Sequence, residues 1–261
     1  MFDFHIHSRV SFDSKEDPIQ IALTAKEKGL REICFTDHYD HNSEKNFLHR
    51  LFTKDVYDKE YAALSVPGIT LRRGVEFSLT DWNVPELRAL SMEFDFDFVI
   101  GSVHFVNGYD PYGQDYWVGE TQHTGFVRYL DRVLECVKIH SEFDVLGHLN
   151  YVCKSAHNPL HTPLYYKDYR EVSDAIMAEL AKKGRGMEIN TSGIDRVGFP
   201  LPNAEFLKRF RELGGEIITV GSDAHDHTRV GQYVPEMLEI IKDIFGYVCT
   251  FEKRVPIFHK L

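Results

Sequence analysis

Short apolar runs alternate with longer segments whose apolar residues recur every three to four positions, and the alternation continues almost from end to end of the 261 residues. A short apolar run reads as a buried strand, and a 3.6-residue period closed by glycine reads as a helix. Strands are predicted at 2–6, 32–36, 70–77, 96–101, 144–148, 186–190 and 216–220. Helices are predicted at 18–28, 168–183, 203–213 and 236–244, the first three stopped by Gly29, Gly184 and Gly214 as C-caps. Repeated βα units with short apolar strands imply a parallel sheet flanked by helices. About seven units in one domain are expected, since no linker, low-complexity tract or repeat interrupts them. The stretch 107–124, rich in Gly, Tyr and Asp, is a long connection of the kind that carries function in many folds.

Composition narrows the class. Hydrophobic content of 43% and charged content of 27% are ordinary for a soluble globular protein. No apolar run is long enough to predict a transmembrane helix, and the start Met-Phe-Asp-Phe-His lacks the pattern of a secretory signal. Cys34, Cys136, Cys153 and Cys249 are scattered, without a C-x-x-C, and read as reduced, buried thiols of a cytoplasmic protein. The formal net charge of -10 disfavours extended nucleic-acid binding. A small anionic substrate is compatible with it if the site is locally positive.

Chemistry gathers at the strand ends. The first strand carries Asp3-Phe4-His5-Ile6-His7, whose two imidazoles share a face, with Asp13 in the following loop. Strand two is followed by Thr36-Asp37-His38, with Asp40 and His41 close behind and competing for the same role. Strand three carries Glu76, strand four leads to His104, strand five to His148, and strand seven to Asp223 and His225. In a βα barrel the C-terminal strand ends form one face, and that face bears the chemistry. Imidazole and carboxylate are metal ligands, so their convergence predicts a metal centre. His49, His140 and His259 fall on surface or helix positions and receive no role.

These motifs, D-x-H-x-H, T-D-H, a lone Glu on a strand, G-S-x-H, G-H and G-S-D-A-H, resemble the PHP (polymerase and histidinol phosphatase) superfamily over residues 3–231. The segments Gly-Ser-Val-His-Phe, Gly-His-Leu-Asn-Tyr and Glu-Ile-Asn-Thr-Ser-Gly resemble its histidinol-phosphate phosphatases more narrowly. The resemblance implies a distorted (β/α)7 barrel, a single PHP metal-dependent phosphoesterase domain over 1–261, and a trinuclear centre of divalent ions. By motif, His5, His7, Glu76 and Asp223 would hold one ion. Glu76 would bridge to a second with His104 and His148, and Asp13, His38 and His225 would hold a third. The mixed donors suit Zn, Fe or Mn. Asp3 is expected to support the ligands rather than bind.

The activity so implied is hydrolysis of L-histidinol phosphate to L-histidinol and phosphate, in histidine biosynthesis, by a metal-bridging hydroxide. Three divalent ions against three ligand carboxylates and one hydroxide leave a positive centre, matched to a phosphate dianion. Catalytic roles fall to Asp223, Glu76 and His225, with Asp223 placed to accept or relay a proton. Arg196 is a candidate phosphate clamp, set against a surface ion pair with Asp195 or Glu188, and Lys154 and Arg229 are further candidates. Aromatics at 109–117 are candidates to cover an imidazole ring. Two other readings compete: a phosphodiesterase or nucleotide-end hydrolase, which predicts a basic groove, and a non-catalytic metal-binding module, which predicts an incomplete ligand set.

Overall fold

Each predicted strand forms. The computed structural model describes residues 1–41, 50–158 and 163–261. In chain order the sheet strands are β1 (Phe2–Ile6), β2 (Glu32–Phe35), β3 (His38–Tyr39), β4 (Thr70–Ser78), β5 (Phe98–Ser102), β6 (Val145–Leu146), β7 (Gly186–Asn190) and β8 (Ile218–Gly221). The ring runs β1-β2-β4-β5-β6-β7-β8, all parallel, with β3 beside β4 so that His38 pairs with Glu76. Just past β8 the ring nearly closes: Ala224 bridges to Ile6, the Asp223 N–H donates to the His5 carbonyl at 2.8 Å, and the His7 N–H donates to the Ala224 carbonyl at 2.9 Å. The result is the single-domain barrel of seven parallel strands expected.

The four predicted helices appear as α1 (Pro18–Glu27), α5 (Arg170–Lys182), α7 (Ala204–Glu212) and α8 (Val234–Phe245), with α6 (Ile194–Val197) a single turn. Three more, α2 (Lys54–Tyr61), α3 (Val84–Glu93) and α4 (Gln122–Ile139), escape the pattern. The inward face of α2 is marked only by Tyr57 and Tyr61, and the rest of the octapeptide is charged apart from the exposed Val56. α4 begins inside the loop-like stretch, where Thr121 and Thr124 form a reciprocal capping box. The main core lies between the outer face of the sheet and the helices. A second cluster fills the bottom of the barrel with Phe4, Cys34, Phe98, Ile100 and Val145, plugged by Cys249 and Phe251 of a C-terminal hairpin, β9 (Tyr247–Glu252) and β10 (Val255–Lys260). All four cysteines are buried and free.

His140 falls at a helix end, as expected, but is fully buried there: it caps α4, and its Nε2 lies 2.6 Å from the Thr80 carbonyl oxygen, so the ring bonds to the chain instead of water. His259 is half-buried against Thr250. His49 lies outside the described residues.

Candidate metal centre

All nine expected ligands reach one place at the C-terminal strand ends. Strand β1 delivers its two imidazoles through a register slip: Asp3 pairs with Ile33 but Ile6 with Phe35, so β1 has one residue more than β2 across this stretch. Phe4 and His5 therefore both face the barrel interior, Phe4 in the lower plug and His5 in the centre above it. The Glu76 carboxylate sits in the middle, completely buried. Its Oε1 lies 2.8 Å from His148 Nε2 and 3.3 Å from His104 Nε2, and its Oε2 2.9 Å from His38 Nδ1, 3.3 Å from His5 Nε2 and 3.7 Å from His7 Nε2. Asp223 Oδ1 faces His7 at 3.2 Å and His5 at 3.6 Å. Asp13 Oδ2 faces His225 Nε2 at 3.2 Å and His38 Nε2 at 3.5 Å.

The donor atoms fit metal ions. His5 Nε2, His7 Nε2, His38 Nδ1 and Glu76 Oε2 are buried without a hydrogen-bond partner, a costly state for polar atoms unless a ligand completes them. Donor atoms of His5, His7 and Asp223 lie within 4.8 Å of one another, as do those of His5, Glu76 and His148, and of His7, His38 and His225. A fourth such group, His38, Asp40 and His104, brings in a carboxylate outside the expected set.

The rear nitrogens are held by carboxylates, one opening the Glu-Ile-Asn-Thr-Ser-Gly segment and one just past His38. His5 Nδ1 meets Glu188 Oε1 at 2.6 Å and His104 Nδ1 meets Asp40 Oδ1 at 2.9 Å. Carboxylates behind ligating imidazoles fix the tautomer and orient the ring. His7 Nδ1 meets Ser11 Oγ at 3.0 Å, and Ser11 in turn donates to the buried Asp37 carboxylate, which Ser8 and Tyr61 also bind. Asp3 bonds to the chain beside Asp223 rather than to an imidazole. It accepts from the Ser222 and Gly231 N–H groups at 2.9 and 2.8 Å, bracing the loop in which Asp223 takes a left-handed conformation (φ 55°).

The electrostatics follow from burying so many acids and imidazoles together. Burial lowers the proton affinity of His5, but Glu188, Glu76 and Asp223 hold it well above the ordinary histidine range. His38, opposed by burial but faced by Glu76 and Asp40, is pushed up to about 9. For His104 burial is likewise outweighed, by Asp40 and Glu76. Burial wins at His148, and at His7, where His225 and His38 add repulsion. Burial would raise Glu76 and Asp223, yet His5, His38 and His104 hold the first, and Lys154 and His5 the second, well below the carboxylate range. The cage demands positive charge at its centre, and divalent cations fit it.

A cavity of about 430 Å³ opens on the centre, lined by Asp13, His38, Asp40, His104, His148, Asp223 and His225 together with Phe12, Arg50, Asp110, Tyr112, Tyr151, Lys154 and Arg196. Lys154 Nζ lies 3.0 Å from Asp223 Oδ2. The Arg196 guanidinium lies over the Tyr112 ring, 4.5 Å from its centroid. Arg229 is corrected: it does not line this cavity but pairs with Asp195 at 2.9 Å, so its charge is already matched by a surface carboxylate. Of the loop aromatics only Tyr112 reaches the cavity; Tyr116 and Trp117 are buried, and the Trp117 indole N–H anchors the loop to the Pro111 carbonyl and Ser155.

The PHP domain family matches residues 3–192. A Clostridium acetobutylicum protein described as a probable histidinol-phosphatase is 29% identical, over 98% of both chains. A histidinol-phosphatase of Lactococcus lactis is 30% identical, over 95% of this chain and 93% of that one. A crystal structure of a histidinol phosphate phosphatase from the same species, complexed with zinc, L-histidinol and phosphate, superposes with a TM-score of 0.83 at 26% identity and covers 98% of each chain.

Proposed function

Because this chain belongs to the PHP domain family, we propose that it is a metal-dependent phosphomonoesterase that hydrolyses L-histidinol phosphate to L-histidinol and phosphate, a step of histidine biosynthesis. The observation that carries the reading is the convergence of unpartnered imidazole and carboxylate atoms on a cavity that Lys154 and Arg196 also line. The relatives named above, and the zinc, L-histidinol and phosphate bound by one of them, support the substrate.

His5, His7, Glu76 and Asp223 would hold one divalent ion, Glu76 with His104 and His148 a second, and Asp13, His38 and His225 a third, with Zn, Fe or Mn suited to the donors. Such ions, when bound, supply Lewis acidity toward the phosphoryl oxygens and toward an attacking water. The protein does the rest. Lys154 and Arg196 line the same cavity and present cations to the phosphate. Glu76, buried among five imidazoles, turns Oε1 to His104 and His148 and Oε2 to His5, His7 and His38, so it would be shared between two ions. Asp223 is clamped through Oδ2 by Lys154 and by Ser192 at 2.9 Å, so Oδ1 stays turned toward His5 and His7, where it can take a proton from the nucleophile. His225 stands half-buried at the rim beside Asp13.

Among the described residues no helix is long and apolar enough to cross a membrane. With four buried free thiols, we place the reaction in the cytoplasm.

Phosphate release by the purified, metal-loaded protein across a panel of monoesters tests the reading. L-histidinol phosphate should be the preferred substrate, chelation should abolish turnover, and Glu76→Gln should lower kcat by about 100-fold or more with the fold retained. Turnover that survives metal removal would sink the mechanism. Preference for bis(p-nitrophenyl) phosphate over the monoester would restore the phosphodiester reading.

A further inference from the structure

One side chain behind the centre is tied to two of the proposed ligands at once. Ser11, buried in the loop after β1, has a hydroxyl with one proton to donate and two lone pairs to accept with. Its neighbours use all three. Asp37 Oδ1, 3.0 Å from Ser11 Oγ, already accepts from the Ser8 and Ser11 N–H groups at 2.7 and 3.2 Å, so toward the hydroxyl too it is an acceptor. The hydroxyl proton therefore goes to Asp37, whose Oδ2 is bound by the Tyr61 hydroxyl of α2. The His38 N–H donates to Ser11 Oγ at 3.0 Å and takes one lone pair. The last lone pair meets His7 Nδ1, also at 3.0 Å. His7 is thereby the donor, with its ring proton on Nδ1 and its own lone pair on Nε2. Nε2 is the buried atom without a hydrogen-bond partner that faces Asp223 at 3.2 Å and Glu76 at 3.7 Å. The His7 and His38 rings stack with centroids 4.3 Å apart, so one hydroxyl holds the ring of the first and the backbone of the second.

We infer that Ser11 is a positioning residue of the metal centre: its hydroxyl, turned by Asp37, holds His7 in the tautomer that offers Nε2 to an ion and ties that ring to the His38 backbone. This rests on the reading of the cluster as a metal site and adds a residue to it. His5 and His104 meet carboxylates directly, whereas His7 reaches its carboxylate through a hydroxyl. Groups behind a ligating imidazole set its tautomer and orientation, and losing one weakens metal binding or activity by about 10–100-fold. In Ser11→Ala, Asp37 keeps its two backbone donors and Tyr61, while His7 Nδ1 and the His38 N–H lose their partner. The loss therefore falls on the two ligands.

The test has two readouts on the zinc-loaded protein, and neither is turnover. Competition with a chromophoric chelator should show zinc held about 10-fold or more weakly in Ser11→Ala, and within about threefold of wild type in Ser11→Thr, which keeps the hydroxyl. Proton NMR of the protein carrying isotope-labelled histidine should place the His7 ring proton on Nδ1, hydrogen-bonded and slow to exchange, and move it upfield in Ser11→Ala. The His7 signal is the one that His7→Gln removes. A wild-type ring proton on Nε2, or Ser11→Ala holding zinc within about twofold of wild type, would overturn the inference. So would an equal loss in Ser11→Ala and Ser11→Thr. The wild-type spectrum decides the tautomer even if Ser11→Ala folds poorly. If the wild type binds no zinc, the metal-centre reading falls, and the ring proton of the metal-free protein still decides whether Ser11 sets the tautomer of His7.

Discussion

Glu188→Gln separates a positioning role from simple packing. Glu188 is buried on β7, where Oε1 meets His5 Nδ1 at 2.6 Å and Oε2 accepts from the His148 N–H at 2.9 Å and the Asn190 amide at 3.2 Å. Both oxygens accept, and glutamine has only one acceptor. Its amide must turn an N–H₂ toward His5 or toward the His148 backbone. A buried donor left unsatisfied costs about 1–3 kcal/mol. If the amide faces His5, the ring is driven to the tautomer that carries its proton on Nε2, the atom aimed at Glu76 and Asp223, and the lone pair for a metal is lost. Removing a carboxylate behind a ligand weakens metal binding or activity by about 10–100-fold, or about 1.4–2.7 kcal/mol, in the range the hydrogen-bond argument gives. Competition against a chromophoric chelator should show metal affinity lowered by that factor, with part of kcat recovered in excess metal. A Glu188→Gln protein that holds metal within about twofold of wild type would refute the positioning role.

Gly221 lies where a Cβ would overlap His5 Cβ and Glu188 Oε1; Gly221→Ala should destabilise the protein by about 1–3 kcal/mol in urea titration, and an unshifted midpoint would contradict the packing. Lys154→Met removes the cation beside Asp223 Oδ2 and should lower kcat/KM for phosphomonoesters about 10-fold or more, mainly through KM, as steady-state kinetics will show. Burial lowers the pKa of His140 from its usual 6.5: Nε2 meets the Thr80 carbonyl, and Nδ1 is buried without a partner. Above about pH 6.5 the ring is neutral in both states and contributes no pH dependence. Below it the unfolded chain takes a proton that the folded one resists, so stability falls with pH until the lowered folded pKa is reached. His140→Gln should flatten that slope in unfolding curves of the metal-free protein, and an unchanged slope would refute the assignment.

What was legible in the sequence follows from how each residue is used. The nine proposed ligands stand out because metal chemistry needs imidazole and carboxylate at strand ends, where an apolar run stops and a polar atom is otherwise unexplained. Glu188 opens the Glu-Ile-Asn-Thr-Ser-Gly segment yet reads only as a partner for Arg196, because an acid inside a strand, among Met187, Ile189 and Asn190, does not declare which imidazole it will meet. α2 was unreadable because its buried stripe is two tyrosines among charges.

Asp3 shows the limit most clearly. Strict alternation along β1 would put Asp3, His5 and His7 on one face, with the carboxylate next in line below the imidazoles. The one-residue slip between Asp3 and Ile6 breaks that phase. It leaves Phe4 inside with His5 and turns Asp3 toward β8, where its carboxylate binds Ser222 and Gly231. The slip has a packing cause on each side: the barrel floor needs an aromatic to meet Phe98 and Phe251, and the level above needs an imidazole to meet Glu76. Two consecutive inward residues require a bulge. The carboxylate so displaced braces the far wall of the centre, holding the loop in which Asp223 takes its left-handed conformation.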